Sequence, residues 1–249
     1  MSRELVDGVH WITNCHPDGD RHLHMSQYLI RDETGTVLVD SGSSHYRAEI
    51  VAEVNRLTDG AGPDVVLLTH STLPHTENVP AFEAEWGETE TIAATGRFPE
   101  IVGLPDAQTR RLNQPVEFAG RPFTCIHPLL TDVTVSQWAY DHESGVLFTA
   151  EAFGHYHDDG CCELTTAEID GGIPTEHIDD FYLDKLPFVD LLDREKLGDA
   201  FEMLFDILDV TYVAPIHGNP VATEDIDDYV ATVMRALEPP TTGGERRHA

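Results

Sequence analysis

Positive charge is scarce in this chain: 15 Lys and Arg stand against 45 Asp and Glu, a formal net charge of −30 over 249 residues. A surface of that sign repels nucleic acid and anionic membranes, which excludes both as partners. Its self-repulsion is relieved by salt, so the composition points to a halophilic host. Long apolar runs are also missing, because charge interrupts them every few residues, and no membrane span is expected. The start, Met1 to Asp7, has no apolar signal core, so the expected location is cytoplasmic. Cysteine is limited to Cys15, Cys125, Cys161 and Cys162 without a CxxC spacing. The expectation is free thiols, with neither a disulfide scaffold nor a zinc–cysteine site. The adjacent pair Cys161 and Cys162 lies in a Gly- and Asp-rich stretch that leaves a redox role open. No Gly-rich phosphate loop is present. No Gly-x-Ser-x-Gly elbow surrounds Ser41, Ser43 or Ser71, which argues against a serine nucleophile.

What is present reads as alternating strand and helix. Val9 to Ile12 and Gln27 to Ile30 are expected strands, separated by a turn-rich loop at Asn14 to Asp20. Val37 to Val39 makes a strand ending at Asp40-Ser41-Gly42. A helix should follow, capped by Ser44, with Ile50, Val51, Val54 and Leu57 on one face. Val65 to Leu68 is the next strand, then a helix over Asn78 to Trp86 and a strand over Thr91 to Thr95. From Val116 to Phe118 onward, short strands at Phe123 to Ile126, Val133 to Tyr140 and Val146 to Phe148 predict an antiparallel meander. Gly154 to Pro174 reads as a long loop, followed by helices at Ile178 to Leu192 and Arg194 to Leu208. A last strand at Val210 to Ala214 precedes a helix at Glu224 to Leu237. The class is α/β, a sheet-on-sheet sandwich with helices outside, in one domain over 1–237 with a disordered tail at 238–249.

The chemistry gathers at strand exits. Leu67-Leu68-Thr69 runs straight into His70, with His75 in the same polar loop. His127 follows Phe123 to Ile126, Glu151 follows Val146 to Phe148, and His217 follows Val210 to Ala214. With 14 histidines in the chain, any one of them serves equally well as a packing or loop residue. Four exits that deliver His, His, His and Glu together are what a metal centre needs, and a buried carboxylate in the apolar stretch around Glu151 calls for a compensating cation. His16, His22, His24, His155 and His157 are further candidates for the lining of such a pocket. Cys125 and His127 stand two apart, as if on one strand face, but lack a third group to orient them.

The segments Gly8-Val9-His10-Trp11, Val37-Leu38-Val39-Asp40-Ser41-Gly42, Leu68-Thr69-His70, Leu147 to Gly154 and Ala214-Pro215-Ile216-His217-Gly218 resemble the metallo-β-lactamase superfamily. Within it the chain is most similar to the di-iron, oxygen-reducing domain of flavodiiron proteins. The resemblance implies an αββα sandwich of two mixed sheets covered by helices, with metal ligands His70, His75, His127, Glu151 and His217. It assigns His70, His127 and Glu151 to one ion and His75, Glu151 and His217 to the other. Thr72 and Pro74 stand where the family carries two further ligands, so one ion or two, iron or zinc, remain open. Glu77, His24 or His155 are the available replacements.

Three functions follow. A nonhaem iron centre would reduce O2, NO or a related small molecule; the relatives receive electrons from an FMN-carrying flavodoxin domain, which this chain lacks, so a separate electron donor is required. A zinc-dependent hydrolase needs no FMN but misses the acidic residue at Pro74. A noncatalytic member with a degenerate site is the third. Homodimerisation is implied by the resemblance alone.

Overall fold

The computed structural model describes all residues except 74, 88, 95–102, 105, 132–134, 187–190 and 238–249. Expectations for Pro74, the end of the Thr91–Thr95 strand, the start of the Val133–Tyr140 strand, the end of the Ile178–Leu192 helix and the tail therefore lie partly or wholly outside the described residues.

A first sheet takes β1 (Ser2–Val6), β2 (Val9–Ile12), β5 (Gln27–Arg31), β6 (Thr36–Val39), β7 (Val65–Leu67), β8 (Glu90–Ala93) and β9 (Gln108–Thr109), hydrogen-bonded in that order. A second takes β10 (Gln114–Phe118), β11 (Arg121–Ile126), β12 (Trp138–Asp141), β13 (Val146–Phe148), β14 (Tyr212–Ala214) and β15 (Val221–Ala222). Both are mixed: β6 to β9 run parallel, and the antiparallel meander β10 to β13 meets β14 in parallel. A separate hairpin pairs β3 (Cys15–Asp18) with β4 (Arg21–His24).

The pleat sorts side chains into three apolar layers. Trp11, Tyr28, Ile30, Val37, Val39 and Leu67 of the first sheet meet Phe118, Phe123, Phe148 and Ala214 of the second in the central layer. Alternate residues on the first sheet, Leu29, Leu38 and Val66, face outward to α1 (Arg47–Thr58) and α2 (Val79–Trp86) through Ile50, Val54 and Phe82. On the second sheet Trp138, Tyr140 and Leu147 face α3 (Thr175–Lys185), α4 (Arg194–Ile207) and α5 (Ile226–Ala236) through Phe181, Phe201 and Tyr229. Each large side chain so buried contributes about 1.5–3 kcal/mol. The result is the expected αββα sandwich.

Local departures have physical reasons. The 14–20 segment is not a turn-rich loop but half of the β3–β4 hairpin, because Pro17 and Gly19 occupy an edge and a turn that tolerate them. β1 and β15 are short edge strands with little apolar pattern to announce them. Ser43, one residue before the expected cap, accepts from the His45 N–H and starts a 3-10 turn at Ser44–Tyr46, so α1 begins at Arg47. The free-thiol expectation holds for Cys125 and Cys161 only. Cys15 and Cys162 form a disulfide, since the hairpin folds against the segment after Glu151 across 147 residues of sequence.

Candidate metal centre

Parallel pairing sets the site. Val39 on β6 registers with Leu67 on β7, and Phe148 on β13 with Ala214 on β14, so the residues after these strands emerge at one edge of the sandwich. Backbone bonds then lace the exits together. Asp40 N–H donates to Leu67 O at 2.9 Å, Ser41 N–H to His75 O at 2.8 Å, and Ile216 N–H to Ala150 O at 2.9 Å. Across the sheets Tyr28 OH donates to Pro215 O at 2.6 Å. The turn that presents Glu151 is tight, with Ala150 and Phe153 in the left-handed region (φ 55° and 65°) and Thr149 Oγ1 donating to Ala152 O at 2.8 Å.

At this edge His70, His75 and Glu151 place one donor atom each within 4.8 Å of one another, and all three residues are buried. His75 Nε2 lies 3.2 Å from Glu151 Oε1. His217 also approaches, with Nε2 3.5 Å from Glu151 Oε2. The far nitrogens are tied down: His217 Nδ1 donates to His24 O at 2.5 Å, His70 Nδ1 pairs with Ser136 Oγ at 2.6 Å, and His75 Nδ1 sits 3.3 Å from Asp40 Oδ2. Asp40 is itself fixed by the N–H and hydroxyl of Thr69. Imidazoles held through Nδ1 by a carboxylate, a carbonyl or a hydroxyl, with Nε2 left for the centre, are the arrangement that metal-ligating histidines adopt.

The charges are strongly coupled. Burial works against a charged His75, but the charge and contact of Asp40, followed by those of Glu151, outweigh it and raise the imidazole to about 10. Burial would likewise raise Glu151, yet His217 and then His75 hold its carboxyl well below the usual range. His70 is pushed down to about 4, by burial first and by His75 second, so it stays a neutral imidazole with a lone pair to offer. A proton on His75 between two carboxylates occupies the place that a cation would take. The donor set fits one divalent ion held by His70, His75 and Glu151, with His217 adjacent.

The other sequence candidates fall elsewhere. His127 is exposed, just past the end of β11, with its N–H on Asn113 Oδ1, and it is not gathered with Glu151. Cys125 is buried in the central layer, so the two do not share a face as their spacing implied. Glu77 caps the turn at Ser43 and Ser44. His155 bonds Tyr229 OH and Asn219, and the His24 ring pairs with Cys162 O. None of these three joins the group formed by His70, His75 and Glu151. Asp40 and Ser136, which orient His75 and His70, were not singled out as part of the centre. Asp40 had a signal, since it leaves β6 as His70 leaves β7; Ser136 had none.

Comparison with known proteins agrees with the fold. The profile of the family described as the metallo-beta-lactamase superfamily matches residues 23–169. No curated protein sequence matches. Among solved structures, rubredoxin oxygen:oxidoreductase from Desulfovibrio gigas superposes with a TM-score of 0.79 at 16% identity, covering 97% of this chain and 63% of that one. A flavoprotein from Thermotoga maritima gives 0.79 at 15%, covering 98% and 62%. The flavodiiron protein from Giardia intestinalis gives 0.75 at 16%, covering 95% and 59%. At such identities the likeness is one of fold. The chain spans less than two-thirds of the length of these proteins.

Proposed function

The chain belongs to the metallo-beta-lactamase superfamily, and from that membership we propose that it is a nonhaem-iron oxidoreductase acting on O2, NO or a related small molecule. The observation that carries the reading is the buried set of two imidazoles and one carboxylate at His70, His75 and Glu151. Two histidines and one carboxylate with open positions are the donor set of nonhaem Fe(II) sites. Iron held there would supply a centre that exchanges electrons with a diatomic oxidant. Glu151 supplies the anionic donor, Asp40 and Ser136 keep the His75 and His70 rings in place, and the carbonyl of His24 turns His217 Nε2 toward the carboxylate. His75 gives up its proton when its Nε2 becomes a ligand, so cation uptake releases a proton. The reading includes an electron donor protein and the pairing of two copies.

The same three donors are also a catalytic zinc set, which keeps zinc-dependent hydrolysis as the second reading. Anaerobic loading of the chelator-treated protein separates the two. The expected result is one Fe2+ per chain, and consumption of O2 or NO in the presence of a chemical reductant, lost in Glu151→Gln. Retention of zinc with ester or thioester hydrolysis would move the protein to the second reading. Failure to hold either ion would make it a noncatalytic member.

A further inference from the structure

A second group of donors lies outside the centre just described. Cys15, at the start of β3, is joined to Cys162, their Cα atoms 5.9 Å apart. Beside them His157 is buried, with its Nε2 3.6 Å from Cys15 Sγ. Its Nδ1–H donates to Asp158 O at 2.9 Å, which keeps the proton on Nδ1 and turns the Nε2 lone pair toward the sulfur. The ring is set in position by its backbone, which exchanges bonds of 2.8 and 3.0 Å with His22, and by the His24 ring, 4.3 Å away between centroids. Cys15, Cys162 and His157 thus offer one donor atom each, all within 4.8 Å of one another. Two sulfurs and a pre-oriented imidazole are soft and borderline donors, the set that selects zinc and similar cations.

We propose that Cys15, Cys162 and His157 form a redox-gated binding site for a thiophilic divalent cation such as Zn2+, open when the two sulfurs are thiolates and closed when they are joined. To close it, a low-molecular-weight disulfide is the oxidant. One cysteine thiolate attacks it to give a mixed disulfide and one free thiolate. The second cysteine thiolate then displaces the other half, leaving the Cys15–Cys162 bond, two external thiolates and a released cation. Opening is the reverse, with two external thiols as reductant.

The test uses Co2+ titration of the full chain, reduced by a phosphine and kept anaerobic, read by the near-ultraviolet thiolate-to-cobalt band that carboxylate and imidazole sites do not give. At saturation one Co2+ per chain should be thiolate-bound in reduced protein, and no band should form after treatment with oxidised glutathione. Cys15→Ser and Cys162→Ser should each abolish it, and His157→Ala should weaken Co2+ binding at least tenfold. Cys161→Ser and His70→Ala should leave it unchanged, the last separating this site from the buried centre. Since a serine variant could fail to fold, the unmodified protein gives a parallel measurement, in which saturating Zn2+ should shield Cys15 and Cys162 from alkylation. Absence of that shielding, or a band that survives in both serine variants, overturns the proposal.

Discussion

His75 and Glu151, 76 residues apart in sequence, meet at 3.2 Å through Nε2 and Oε1 in a buried contact. Removing either should disable the centre in a different way. Glu151→Gln keeps the shape and removes the anionic donor, and the variant should retain no iron after gel filtration. Asp40→Asn neutralises the group behind His75, which Thr69 also holds, and should lower metal affinity by about 10–100-fold. Both are read by metal analysis and competitive chelator titration. Unchanged affinity in Asp40→Asn would show that His75 does not bind through Nε2.

Metal-free protein should lose stability in alkali. His75 is raised from 6.5 to about 10 in the folded chain, so its contribution is fully present below about pH 6.5 and falls away as pH rises through 10. Glu151 has the opposite sign: its lowered value gives stability above its ordinary value of 4.5, lost as pH falls below it. Urea unfolding of chelator-treated protein between pH 6 and 10 should show a decline that His75→Gln abolishes. Loading with a divalent ion should flatten the same curve, because the ion replaces the proton.

Arg121 and Asp141 form a buried two-point pair at 2.9 and 2.8 Å, with Asp32 and Glu143 also on the guanidinium. Asp141→Ala leaves that cation with its main partner gone. The expected loss is about 3–5 kcal/mol in denaturant unfolding, with no change in metal content.

Salt should stabilise the whole chain. With a net charge of −30, screening that shortens from about 8 Å at physiological strength to about 3 Å at 1 M salt relieves repulsion across the surface. Thermal unfolding should move upward by more than about 4 °C over that range, the shift that about 1–2 kcal/mol produces in a domain of this size. A midpoint independent of salt would contradict the halophilic expectation.

Much of this molecule could be read from its residues. The apolar runs at Val37 to Val39, Val65 to Leu67 and Val146 to Phe148 marked their own strands, and the stripe of Ile50, Val54 and Leu57 marked α1. His70, His75, Glu151 and His217 were singled out because each comes after such a run, and parallel register brings them together at one edge. His127 obeyed the same rule but went elsewhere: β11 pairs antiparallel with its neighbours, ends at Ile126, and releases the next residue to solvent. Cys15 with Cys162 was out of reach, since nothing local ties a hairpin to a loop 147 residues later. The partners behind the ligands, Ser136 and the carbonyl of His24, carry no chemistry in sequence that distinguishes them from any other serine or peptide group.

The parallel pairing of β13 with β14 has a kinetic corollary. Val146 to Phe148 can join Tyr212 to Ala214 only after the intervening chain, including α3 and α4, has been brought back onto the sheet. Such a long loop closure comes late, because its entropy must be met before the contact rewards it. Glu151 and His217 are therefore expected to become neighbours late in folding, and a half-folded chain, even with its first sheet complete, should lack the assembled cluster.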